Sequence, residues 1–155
     1  MSRRCAGPIT TLTLLFTTAP AAAQEQPLKQ AELPAAVARA VASLSQGATI
    51  RGYSRERENG QWLYEVELRV NGHGKDVTID STGAVVEVEE EVALATLPEA
   101  VQAGLRAGAG AGTIRLVESV SKGGQIVMYE AHVVNGAKRS EVKVGADGKP
   151  PAAPR

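Results

Sequence analysis

Aromatic side chains are scarce in this 155-residue chain, which holds one Trp, three Tyr and one Phe. Phe16 lies in the N-terminal apolar stretch, so Tyr53, Trp62, Tyr64 and Tyr129 are all that remain for a folded domain. Stacking on nucleic-acid bases has little to work with. Charge is equally uninformative as a lure, since Lys and Arg number 17 against 17 Asp and Glu. That balance removes the electrostatic case for nucleic acid or for an anionic membrane surface. The single cysteine, Cys5, sits at the extreme N-terminus, so no disulfide can staple the rest. The two histidines, His73 and His132, lie far apart in sequence, and neither has a second ligand at helical spacing. Zinc needs three or four converging donors, so no metal or other cofactor is expected. Serines occur, but none in a G-x-S-x-G setting, and catalysis is not expected. No apolar run is long enough to span a bilayer.

What is present begins with an address. Arg3 and Arg4 precede a short apolar stretch, Ile9 to Phe16, and Ala21-Ala22-Ala23 supplies small residues. Residues 1–23 read as a secretory signal peptide cleaved near Ala23, placing the mature chain in a bacterial periplasm or outside the cell. Loss of Arg3 and Arg4 leaves 15 basic against 17 acidic residues, a formal charge of −2.

The remainder nearly repeats itself at a period of about 64 residues. Leu33-Pro34-Ala35-Ala36-Val37 returns as Leu97-Pro98-Glu99-Ala100-Val101, and Thr49-Ile50-Arg51 as Thr113-Ile114-Arg115. Tyr64-Glu65 returns as Tyr129-Glu130, and Val70-Asn71-Gly72 as Val134-Asn135-Gly136. Val37, Val41 and Leu44 form one apolar helical stripe after Leu33-Pro34, with Val101 and Leu105 in corresponding places. Gly104 and the run Gly108 to Gly112 predict a shorter, weaker second helix. Beyond each helix the period becomes two. Trp62, Tyr64, Val66, Leu68 and Val70 alternate with Leu63, Glu65, Glu67 and Arg69, and Asn59-Gly60 marks a hairpin turn. Strands are expected over 49–56, 62–70, 76–80 and 84–92, then over 113–121, 125–134 and 138–144. The expected fold is α+β: two tandem helix-plus-antiparallel-sheet repeats, 33–92 and 93–149, with helices on one face of a roughly seven-stranded sheet. Residues 24–32 read as a flexible lead-in and 150–155 as a disordered tail.

Leu-Pro-x-Ala-Val, the run Trp62-Leu63-Tyr64-Glu65-Val66-Glu67-Leu68, and Val77-Thr78-Ile79-Asp80-Ser81-Thr82-Gly83-Ala84-Val85 resemble the PepSY-like family. That family's architecture is similar to the β-lactamase inhibitory protein. Met128 to Val133 and Val142 to Gly148 carry the likeness into the second half, although Gly145 stands where the first half has Asp80. The resemblance implies a non-catalytic exported module, of a kind suspected of inhibiting or chaperoning peptidases.

With helices on one sheet face, the other would be open to a partner. Period-two counting puts Arg51, Tyr53, Arg55, Leu63, Glu65, Glu67 and Arg69 on that face in the first half. In the second half it puts Arg115, Val117, Met128, Glu130 and His132 there. Mixed charge with a few apolar groups suits a protein or peptide partner in the cell envelope, bound without cofactor. A structural or sensory envelope module is the alternative, and a small hydrolase or metal-dependent enzyme is a third. Glu87, Glu89, Glu90 and Glu91 read as a solvated acidic edge rather than a calcium site.

Overall fold

The strongest alternation in the sequence does become an interior strand of a sheet. The computed structural model describes residues 25–152, and the expected signal peptide lies outside them. Strand β1 (Gln26–Pro27) is followed by a 3-10 turn and helix α1 (Ala35–Leu44), with Pro34 at its N-cap. Strands β2 (Thr49–Glu58), β3 (Gln61–Val70), β4 (His73–Asp80) and β5 (Val85–Glu91) come next. A second 3-10 turn leads to helix α2 (Glu99–Ala109), then β6 (Thr113–Lys122), β7 (Gln125–Asn135) and β8 (Lys138–Val144). Among the described residues no helix is long and apolar enough to cross a membrane.

The expected fold class needs correction. The chain is not two tandem helix-plus-sheet repeats on seven strands. It is one eight-stranded antiparallel sheet in the order β1 to β8, carrying two short helices. Two features make the difference. Val88–Glu91 of β5 pair directly with Glu118–Ser121 of β6, so the ladder runs on without a break. The additional strand comes from the segment before α1, where Gln26 and Pro27 pair with Arg55 and Ser54. Tight turns match the sequence signals: Asn59 and Asn71 adopt positive φ of 48° and 51°, each followed by a glycine also at positive φ.

Val37 and Val41 of α1 pack on Tyr64, Val66, Leu68, Val77 and Ile79. Val101 and Leu105 of α2 pack on Val117, Tyr129, Ala131, Val133 and Val144. The register links the two sets through Val77↔Val88↔Ser121 and Glu90↔Ser119↔Tyr129, so both helices lie on the same face of the sheet. Helix α2 is not the shorter one, at 11 residues against 10. Its glycines serve close packing. A Cβ on Gly104 would overlap the carbonyl oxygen of Gly148, and one on Gly108 would overlap Val142. The helix therefore rests almost backbone to backbone on the turn after β8.

Candidate functional site

The helix-free face is built from the side chains that alternate with the core. On β3 these are Leu63, Glu65, Glu67 and Arg69, since Tyr64, Val66 and Leu68 are buried beneath α1. Cross-strand pairing carries the face through Asp76 and Thr78 on β4 to Glu87, Glu89 and Glu91 on β5. It continues through Leu116, Glu118 and Val120 on β6 to Met128, Glu130 and His132 on β7. Lys143 and Glu141 close it on β8.

Several residues expected here are elsewhere. Irregular register between Ile50 and Gly52 shifts the alternation of β2 by one residue. Tyr53 therefore packs against the α1 core, and the Arg55 guanidinium lies over Trp62 at 4.6 Å from the ring centroid. A matching irregularity between Ile114 and Leu116 sends Val117 into the α2 core. Arg51 and Arg115 sit at these two irregular positions and are exposed. Leu63, Glu65, Glu67, Arg69, Met128, Glu130 and His132 remain on the helix-free face.

Sequence reading missed how the acidic groups of different strands align. Glu67 is directly opposite Asp76, and Asp76 directly opposite Glu89. One rung away, Glu91 is opposite Glu118 and Glu118 opposite Glu130. Asp80 closes the Ser81-Thr82-Gly83 turn by accepting from Thr82 N at 2.8 Å and Ala84 N at 3.0 Å, but counting back from that turn pairs Asp76 with Val88, and only the irregular register between Thr78 and Ile79 moves it onto Glu89. The alignment of Glu118 with Glu91 depends on the β5–β6 pairing, which has no local signal, and its alignment with Glu130 on the β6–β7 register beyond the irregularity at Val120 and Ser121.

Neutralisation is sparse. Lys143 Nζ lies 2.8 Å from Glu130 Oε2, His132 Nε2 lies 2.8 Å from Glu118 Oε2, and Lys122 Nζ lies 2.7 Å from Glu87 Oε2. Gly74 N donates to Glu91 Oε2 at 2.9 Å. Among the described residues no ion pair reaches Glu65, Glu67, Asp76, Glu89 or Glu91. Burial, then the nearby Glu25, Asp76, Glu67 and Glu89 charges, pushes Glu65 up to about 7. Burial and the Glu118 charge do the same to Asp76, to about 6, and to Glu89, to about 7. Burial raises Glu130 also, opposed by its Lys143 bond. The Glu130 and Glu87 contacts hold Lys143 and Lys122 above the ordinary lysine range.

Two groups of potential ligands converge among the described residues: Glu130, His132 and Glu141, and Asp76, Glu89 and Glu118, each with one donor atom per residue within 4.8 Å of the others. The first trio is already engaged internally, through Lys143 on Glu130 and Glu118 on His132. The second is an accumulation of negative charge without a lysine or arginine.

No protein-family model matches the chain, and no curated protein matches it. The PepSY-like resemblance read from the residues thus has no family match behind it. Solved structures do align. A BLIP-like protein from Bacteroides fragilis is 19% identical, covers 76% of this chain and 82% of its own, and has a TM-score of 0.53. A DUF2874 family protein from Bacteroides ovatus is 16% identical, with 76% and 83% covered and a TM-score of 0.57. A protein described as periplasmic, from Bacteroides eggerthii, is 16% identical, with 76% and 84% covered and a TM-score of 0.61. At these identities the likeness establishes the fold alone: the chain is folded like the BLIP-like and DUF2874 proteins.

Proposed function

We propose that this chain is an exported, non-catalytic binding module of the bacterial cell envelope, which docks a protein or peptide partner on its helix-free sheet face. One observation carries the reading. Both helices lie on one side, so the other side of an eight-stranded sheet presents charged side chains and a few apolar ones such as Leu63 and Met128. An antiparallel sheet can leave one face to water. Here, though, the face holds groups that water serves poorly, including the buried Glu118 and Glu130. Export rests on residues 1–23, and a fold neighbour described as periplasmic supports it. The absence of cysteine after residue 5 and of a nucleophile motif supports a role without chemistry. A broad rigid sheet laid over a partner would act by occlusion, and a peptidase cleft is the kind of site such a surface could close.

The test is retention of a partner from periplasmic extract by the wild-type chain and by a Glu65→Lys/Glu67→Lys variant. The proposal expects a defined protein that the variant releases while its melting temperature does not fall. Equal retention by both, or no retained protein, would remove the basis for docking on this face.

A further inference from the structure

Resting on that docking reading, we propose that the segment docked on this face is cationic: a lysine- and arginine-rich stretch of protein laid across two rows of aligned carboxylates.

The rows are Glu67–Asp76–Glu89 and Glu91–Glu118–Glu130, three strands wide each and offset by two strands. Like charges directly opposite on neighbouring strands are destabilising, and here four such pairs occur on one face. The first row has no ion-pairing partner among the described residues. The second has Lys143 at one end and His132 on Glu118. Glu118 adds a separate argument. Its side chain is only 8% exposed, His132 is its one hydrogen-bond partner among the described residues, and its carboxylate lies within 4.8 Å of those of Asp76 and Glu89. A desolvated carboxylate aimed into other carboxylates is costly unless a cation covers it. The near-zero formal charge of the whole chain hides this segregation. Arg55 and Arg57 are drawn to Trp62, and Lys75 to Glu90, on the helix-bearing side.

Dimensions favour a chain over an ion. The rows run from β3 to β7, four strand spacings or about 19 Å. A single calcium gathers its oxygens at about 2.3–2.6 Å and could engage only one corner of them. An extended segment places same-face side chains about 7 Å apart. Its guanidinium groups can each grip a carboxylate with two parallel bonds. Glu89 faces Asp76 from β4, Glu118 from β6 and Glu130 from β7, with Glu87 beside it and Lys122 and Lys143 as the local cations. Its raised proton affinity means that a bound cation should expel protons.

The experiment is calorimetric titration of the full chain at pH 7 with three nine-residue peptides, rich in Arg/Lys, in Ser/Gly or in Glu, and with calcium chloride alone. The basic peptide should bind, weaken about tenfold between low and moderate salt, and release protons, read as a buffer-dependent heat. Glu67→Gln/Glu89→Gln should weaken it about tenfold without lowering the melting temperature, with Glu91→Gln as an independent variant. A basic peptide that binds no better than the Ser/Gly peptide would overturn the cationic assignment. If the Ser/Gly or Glu peptide binds instead, and Glu65→Lys/Glu67→Lys abolishes it, docking stands and only the partner class falls. Saturable calcium binding with the basic peptide silent would overturn the proposal in favour of an ion site. Silence of all three peptides, together with partner capture indifferent to Glu65→Lys/Glu67→Lys, would remove the docking reading as well.

Discussion

Acidifying this protein from pH 8 to pH 5 should make it more stable. The groups responsible are Glu65, Asp76 and Glu89, pushed up to about 7, 6 and 7 in the folded state by burial and by neighbouring carboxylates. In the unfolded chain they return to the ordinary carboxylate values of 4.5, 3.8 and 4.5. The folded state therefore holds more protons between about pH 4 and 7, and stability must fall as pH rises through that window. Each tenfold gain in proton affinity is worth about 1.4 kcal/mol. These side chains are only half-buried, so solvent screening reduces the contribution to about 1 kcal/mol each, or about 3 kcal/mol in all. For a domain of this size that corresponds to a rise of roughly 5–10 °C in melting temperature. The carboxylates held low, Asp80 and Asp147, lose their protecting bonds only below the ordinary aspartate range and leave the window clear. Thermal unfolding followed by circular dichroism at pH 5, 6, 7 and 8 measures the slope. Glu89→Gln isolates one share, with a gain of about 1 kcal/mol at pH 8 and almost none at pH 5. A melting temperature that is flat or falls from pH 8 to pH 5 would refute the reasoning, as would a Glu89→Gln variant weaker than wild type at pH 8.

Three other substitutions probe the packing and the face. Lys143→Met leaves Glu130, 7% exposed at its side chain, without its cation, and should cost about 1–2 kcal/mol at pH 8 in urea unfolding, less at pH 5. Gly104→Ala would normally strengthen a helix. Here the new methyl meets the Gly148 carbonyl, so denaturant unfolding should show a loss of about 1–3 kcal/mol. Arg55→Ala removes a guanidinium from the Trp62 ring and should cost about 0.5–1 kcal/mol, with a shift in the emission of the only tryptophan.

Much of the scaffold is legible because period and burial agree. Tyr64, Val66 and Leu68 alternate cleanly, Val37 and Val41 fall one helical turn apart, and Asn59-Gly60 supplies the turn that fixes the first hairpin register. The β8 limits, Lys138 and Val144, coincide with those read from the sequence. The misplaced features are long-range or turn on a single residue. The irregularities beside Arg51 and Arg115 flip the downstream residues to the other face, so simple alternation puts Tyr53, Arg55 and Val117 on the wrong side. Nothing in Thr-Ile-Arg announces such a slip. Two-residue β1 is too short to carry a pattern, and the continuous β5–β6 ladder that overturns the two-repeat expectation joins residues about 30 apart through a helix. Helix propensity alone misreads Gly104, whose place is set by the turn it touches. The carboxylate rows are invisible in sequence because each strand contributes only one or two members.

The β5–β6 ladder is also the narrowest place in the sheet between the two helix-bearing halves, four paired positions between Val88–Glu91 and Glu118–Ser121, with a separate apolar cluster on either side. One of those four rungs sets Glu91 against Glu118. Another rung holds Glu89, whose raised proton affinity ties hydrogen exchange at this waist to the acid–base state of the surrounding solution. A ligand that neutralises the waist would act as a clasp, and rigidity across the molecule would follow from occupancy.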